Sequence, residues 1–200
     1  VLPRRSIEGG ILVTDDPGLA DIARCLRAHG WSRDLAADSD LLRDLTNASF
    51  DAAYQFLLPG YNLRPTEIQA ALGLQQLIGF RAAQAWRRGN ASTFQERFAD
   101  HSHFSTQKTG VNAVSYGFVL IADTPSRRRA AFAAMDRAGI EYRMVTGGCF
   151  TLHPASTWYN YEATALPNAE HAHRCGFFVG NHPRDLSDEI ALLYNTLKGV

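Results

Sequence analysis

One run of helical periodicity constrains the fold of this chain more than any other feature of its sequence. From Pro65 onward the apolar residues Ile68, Ala71, Leu72, Leu74, Leu77 and Ile78 recur at the spacing of a single broad helical face. The pattern predicts a helix that continues through Gly79 and Gly89 to about Phe98. Such an element is far longer than an average helix in a globular protein. It is therefore expected to join two domains, residues 1–80 and residues 81–200.

The flanking segments read as alternating strands and helices. Ile11-Leu12-Val13, with turn residues on both sides, predicts a buried strand. Asp16 then opens a helix with Pro17 at its first position, Leu19, Ile22, Ala23 and Leu26 at helical spacing, Arg24 and Arg27 at its negative end, and Gly30 as its stop. Between Trp31 and Pro59 no clean periodicity emerges; Leu41, Leu42 and Leu45 suggest a helical turn, and Ala52 to Leu58 suits a strand or a buried loop. Beyond His101 the expected order is strand Val114 to Ala122, helix Ser126 to Ala138 ended by Gly139, and strand Ile140 to Val145. A helix around Asn168 to Arg174, a strand Phe177 to Val179 and a final helix Ser187 to Leu197 follow. This alternation predicts an α/β protein whose second part is a small domain with a helix-covered sheet.

Composition narrows the function classes. Twenty basic residues balance twenty acidic ones, so the chain lacks the electrostatic footprint of a dedicated nucleic-acid or anionic-membrane binder. Its three cysteines, Cys25, Cys149 and Cys175, form no CxxC pair, which argues against a disulfide framework or structural zinc and fits a reducing cytoplasm. His171 and His173 with Cys175 imitate a metal cluster on paper, but residues two apart on a helix point apart, so no metal site is expected. No apolar run has the length of a membrane span or the character of a signal peptide. The opening Val1-Leu2-Pro3-Arg4-Arg5 has no initiator methionine and reads as a start inside a longer protein.

The segment richest in chemistry is Gly60-Tyr61-Asn62-Leu63-Arg64-Pro65-Thr66-Glu67-Ile68-Gln69-Ala70-Ala71-Leu72-Gly73-Leu74-Gln75-Gln76-Leu77. A glycine-started loop presents an amide and a guanidinium just before a helix N-terminus, a set of donors and positive dipole able to hold a phosphate. Asn62 and Arg64 can equally serve as mere loop caps. The stretch resembles, nearly residue for residue, the GYNxRxTEIQAAxGLxQL signature of the DegT/DnrJ/StrS family of sugar aminotransferases. Two further blocks resemble the same family in the same order: Ile7-Glu8-Gly9-Gly10-Ile11-Leu12-Val13-Thr14-Asp15-Asp16 and Arg27-Ala28-His29-Gly30-Trp31-Ser32-Arg33-Asp34. The stretch Gly176-Phe177-Phe178-Val179-Gly180-Asn181-His182-Pro183 is similar to the branch that contains sugar 3-dehydratases.

The resemblance implies the C-terminal portion of a fold-type-I pyridoxal-phosphate enzyme, a remnant of the large domain plus a small α/β domain joined by the long helix. It implies pyridoxal or pyridoxamine 5'-phosphate as cofactor and a homodimer in which Asn62, with Arg64 beside it, reaches the cofactor phosphate of the neighbouring subunit. The substrates would be a nucleotide-linked keto-deoxysugar of polysaccharide or lipopolysaccharide biosynthesis and an amino-acid donor, with Arg143 and His153 facing the sugar nucleotide. Arg143 and His153 read equally as a strand-edge ion pair and a loop histidine. The leading activity is amino transfer; the alternative is 3-dehydration of a 4-keto-6-deoxy sugar; a third reading is a non-catalytic partner or degenerate paralogue. One departure matters. The family's Schiff-base lysine, a histidine in the dehydratases, falls here on Leu2, and residues 1–7 contain neither lysine nor histidine. The chain alone is therefore expected to be inactive.

Overall fold

Successive side chains of an extended segment point to opposite faces, and Gly117–Ala122 obeys this closely: Phe118, Leu120 and Ala122 are buried while Val119 and Ile121 are partly exposed. This strand, β2, is the centre of the computed structural model, which describes residues 9–43, 54–110, 113–145, 147–162 and 164–200. The chain divides into two compact units with the boundary between Leu77 and Ile78.

The second unit contains a four-stranded sheet ordered β1-β2-β4-β3, where β1 is Phe104–Thr106, β3 Arg143–Met144 and β4 Gly176–Gly180. Every neighbouring pair is antiparallel, with Leu120 opposite Phe177 and Arg143 opposite Phe178. The strand expected over Val114 to Ala122 begins at Gly117, and the one expected over Ile140 to Val145 shrinks to two residues. β1 was not foreseen, because three residues are too few to show a period of two.

Helices α3 (Phe80–Phe98), α4 (Pro125–Ala138) and α6 (Ser187–Lys198) close the sheet's buried face. Phe94 and Phe98 from α3, Met135 from α4, and Ile190, Leu193 and Leu197 from α6 meet Phe104, Phe118, Leu120, Phe177 and Val179 in one core. The Phe94 and Phe118 rings stack at 4.5 Å. A shorter helix, α5 (Pro167–Cys175), adds Cys175 to the same core. Both α4 and α6 start and stop close to where their sequence signals stand: Thr124 caps α4 through the Arg127 N–H, and Gly139 ends it in the left-handed region.

A buried polar cluster pins the middle of α3 to the segment just after β4. Asn181 donates through Nδ2 to the carbonyl oxygens of Arg87 (2.9 Å) and Ser115 (3.0 Å), and its own carbonyl accepts from Arg87 Nε at 3.2 Å. Asn90 Nδ2 donates to the Arg184 carbonyl at 2.7 Å, and Asn90 Oδ1 accepts from the Leu186 N–H. The asparagine of the Gly180-Asn181-His182 stretch is thus a structural tie.

The first unit carries α1 (Pro17–Arg27), a 3-10 turn Asp40–Leu42 and α2 (Glu67–Leu77). Asp16 caps α1 as its sequence predicts, accepting from the Gly18 and Leu19 N–H groups at 2.8 and 3.2 Å. Two expectations fail here. Ile11 to Val13 form no strand and stand exposed, Ile11 at 92% and Val13 at 88%: apolar character alone does not make a strand where no neighbouring strand pairs with it. The long bridging helix is interrupted at Ile78 and Gly79, so it is two helices, α2 and α3, whereas Gly89 is accommodated inside α3. Glycine has poor helix propensity, and Gly79, at the head of α3, sits where the chain leaves one unit for the other. Leu2, Leu45 and Ala52 lie outside the described residues.

Candidate functional site

The last carbonyl groups of any helix lack partners within it, and at α1 a second segment supplies them. Tyr61 N–H donates to the Leu26 carbonyl (2.7 Å) and Leu63 N–H to that of Arg27 (3.0 Å), while His29 N–H donates to the Tyr61 carbonyl (2.8 Å). Asn62 therefore sits in an isolated antiparallel bridge opposite Ala28. The pairing runs on through Leu57 N–H to the Gly30 carbonyl (2.8 Å) and Ser32 N–H to that of Gln55 (3.0 Å). Two sequence blocks some thirty positions apart, Arg27 to Asp34 and Gly60 to Arg64, are one structural object.

Glycine makes that approach possible. A Cβ on Gly30 would lie 1.7 Å from the Leu58 carbonyl oxygen, and one on Gly60 would lie 2.0 Å from the Gly30 nitrogen. Gly30 also has φ of +87°, a region that side-chain-bearing residues seldom adopt. Trp31 beside it packs against His29, Tyr54 and Phe56, with ring centroids 5.3, 6.2 and 5.6 Å away.

The loop leads directly into α2, and Thr66 rather than Asn62 or Arg64 caps that helix. Thr66 N–H donates to Gln69 Oε1 at 2.8 Å, and Gln69 N–H donates back to Thr66 Oγ1 at 3.4 Å. This is a capping box, and its Thr-x-x-Gln spacing was available in the sequence. Asn62 and Arg64 are released from capping; both are exposed, and neither side chain is engaged by another described residue. An amide and a guanidinium left uncommitted on a backbone fixed at both ends suit a phosphate, to which each offers N–H donors.

The other two sequence-predicted residues lie in the second unit and are not brought together. Arg143 lines an open cavity of about 720 Å³ with Tyr116, Asp136, Glu141, Tyr142 and Phe178. The Tyr116 and Phe178 rings meet edge to face at 5.6 Å, and Tyr142 stacks on Phe132 of α4 at 4.1 Å. Partial withdrawal from water, reinforced by the Asp136 carboxylate 3.4 Å from its hydroxyl, raises the Tyr142 phenol above its ordinary pKa, so it remains a neutral donor. His153 is not among the residues lining this cavity. Its Nε2 is bonded to the Gly147 carbonyl, and its ring lies 5.3 Å from that of His173. His173 Nδ1 in turn accepts from the Cys149 N–H at 3.2 Å, Cys175 is buried in the core and His171 is exposed. Tyr116 and Asp136 carry no sequence signal for the cavity, because only the folded sheet, with α4 packed on it, gathers them.

Among the described residues no helix is long and apolar enough to cross a membrane. The chain is 36% identical over 197 residues to GDP-4-keto-6-deoxy-D-mannose 3-dehydratase of Yersinia pseudotuberculosis, an alignment that takes in 96% of this chain and 50% of that protein. Its fold matches the structure of the Escherichia coli GDP-4-keto-6-deoxy-D-mannose-3-dehydratase with bound hydrated PLP, with a TM-score of 0.84 and 34% identity over 96% of this chain and 50% of that one. The UDP-4-amino-4,6-dideoxy-N-acetyl-beta-L-altrosamine transaminase of Campylobacter jejuni is 27% identical over 70% of this chain and 34% of that protein. The chain spans about half the length of the dehydratases it matches. The family model for the DegT/DnrJ/EryC1/StrS aminotransferase family matches residues 5–197, so this chain, as its three sequence blocks implied, belongs to that family.

Proposed function

We propose that this chain is the C-terminal half of an enzyme that uses pyridoxamine or pyridoxal phosphate to remove the 3-hydroxyl of a nucleotide-linked 4-keto-6-deoxy sugar. The observation that carries the reading is the extent of the dehydratase likeness, which runs along nearly the whole chain, against a lower and shorter likeness to the transaminase. It moves the preference away from amino transfer, which the sequence blocks alone favoured.

The cofactor, when bound, supplies an electron sink conjugated to the reacting sugar. This chain's contribution is to hold and orient. The Asn62 amide donates to the cofactor phosphate from an anchored backbone, and the Arg64 guanidinium adds positive charge beside it. Because the loop is fixed by the carbonyls of α1 and by the capping box of α2, those donors need little reorganisation to meet the phosphate. The cavity around Arg143 receives part of the sugar nucleotide. In this reading Asn62 serves the site of a neighbouring subunit, which makes the complete enzyme a homodimer. The residue that moves the substrate proton belongs to the position occupied here by Leu2, which can neither accept nor donate one.

The test is product analysis by mass spectrometry. The full-length gene product is incubated with cofactor, glutamate and a GDP-linked 4-keto-6-deoxy sugar. Loss of one oxygen from the nucleotide sugar is the expected result. Replacement of the keto oxygen by an amine would reject dehydration and restore the aminotransferase reading. The 200-residue chain assayed alone is expected to yield neither product.

A further inference from the structure

His101 sits where three elements of the second unit meet, just past the end of α3, before β1 and against α6. Its ring stacks on Phe98 of α3 with centroids 5.6 Å apart, and it meets Phe104 of β1 and Tyr194 of α6 edge to face at 5.1 and 5.6 Å. Its Nδ1 accepts from the His103 N–H at 3.3 Å, which puts the proton of the neutral ring on Nε2. Nε2 is enclosed and has no hydrogen-bond partner among the described residues.

A second proton on this ring has no favourable place to go. It must enter at Nδ1, where the His103 N–H already points, so a donor would face a donor. The groups whose charge acts on the ring, His103 and the Arg127 guanidinium of α4, both oppose a positive charge there. The nearby carboxylate of Asp123 is already shared by His103 Nδ1 at 3.0 Å and Arg127 Nε at 2.9 Å, and Arg127 also donates to the Val200 carbonyl. On α3, Arg97 lies over the Tyr194 ring at 6.0 Å and Asp100, just beyond the helix, is exposed to water; on α6, Lys198 is exposed one turn past Tyr194. We propose that His101 is an acid-sensitive latch, which holds the edge strand β1 against α3 and α6 while its ring is neutral and releases it when the ring is protonated.

Burial foremost, then His103 and Arg127, holds the His101 pKa below its ordinary 6.5. The latch therefore contributes fully above about 6.5, the value regained on unfolding, and its contribution is lost as the pH falls through 6.5 toward the folded-state value. β1 is where the loss should show first. It is three residues long, lies at the edge of the sheet and pairs with β2 alone, from Phe104 opposite Ala122 to Thr106 opposite Leu120.

Two measurements on the 200-residue chain test the latch. The His101 ring signal, followed by NMR from about pH 8 to about pH 4.5, is expected to titrate below 6.5 in the unmodified chain. Hydrogen exchange read by mass spectrometry, corrected for the intrinsic effect of pH, is expected to show β1 opening about threefold or more readily at about pH 5 than at about pH 7.5. His101→Phe keeps an aromatic ring in the cage but cannot be charged, so its β1 should open equally at the two pH values. His103→Gln removes the other imidazole but leaves the His101 ring and the N–H that it accepts, so the acid response should persist. A His101 midpoint at or above 6.5 would overturn the latch, since the surrounding rings would then be holding the charged imidazole over their faces. An acid response kept by His101→Phe, or abolished by His103→Gln, would overturn it as well and transfer the pH dependence to the His103 and Asp123 pair.

Discussion

Glycine at position 30 decides whether the Asn62 loop can exist in its present form. A Cβ there would lie 1.7 Å from the Leu58 carbonyl oxygen, far inside van der Waals contact, and a φ of +87° adds backbone strain to the collision. The two segments would have to separate, and with them the donors from Tyr61 and Leu63 to the end of α1. Gly30→Ala is therefore expected to cost about 2–3 kcal/mol of local stability. Amide hydrogen exchange reads it directly: the Tyr61 and Leu63 amides should lose protection while those of β2 keep theirs. Retention of protection at Tyr61 and Leu63 would mean that the strands are held by something other than this close approach. Residues also divide by the kind of order they serve. Asn181 is spent on a buried network, with both polar ends of its side chain satisfied, whereas Asn62 of the same chemistry is spent on none.

At the level of elements, helices announced themselves through their ends. Asp16 with Pro17, Thr124 with Pro125, and Gly139 each mark a boundary that the structure keeps. The capping box at Thr66 and Gln69 has the same clarity, and it leaves the Asn62 side chain out of the cap. Thr66→Ala is expected to cost α2 about 1 kcal/mol, visible as a small loss of helical circular dichroism and faster exchange in its first turn. An unchanged α2 would assign the cap elsewhere. Strands were less legible. β1 and β3 are the edge strands of the sheet, and each pairs along only part of a longer neighbour, β2 or β4, an extent set by the pairing and not by their own residues. The break between α2 and α3 was equally hidden: Gly79 and Gly89 have the same propensity, yet the chain breaks at Gly79, at the junction between units, and runs on through Gly89. The site divided the same way. Asn62, Arg64 and Arg143 stood out in their motifs, but the cavity needs Tyr116 and Asp136, which only strand pairing and the packing of α4 bring beside Arg143.

Across the whole molecule, the two units differ in how well they bury what they carry. Residues 78–200 gather fifteen buried side chains, five of them phenylalanine, into one core. In the other unit Ile11, Val13, Leu63, Ile68, Leu74 and Leu77 are each more than 60% exposed, and α2 has no buried residue at all. Apolar surface on that scale is seldom left to water, and a helix of eleven residues derives most of its stability from packing, not propensity. Two consequences follow for the isolated chain. The unit ending at Leu77 should protect its amides less than β2 and β4, whose protection approaches the limit set by global unfolding. The chain should also bind a hydrophobic dye and sediment as concentration-dependent oligomers, and Leu74→Glu together with Leu77→Glu should reduce both, since each replaces an exposed apolar side chain with a charge. Uniform protection across both units, or a dye-silent monomer at every concentration, would show that the first unit is stable with its apolar side chains in water.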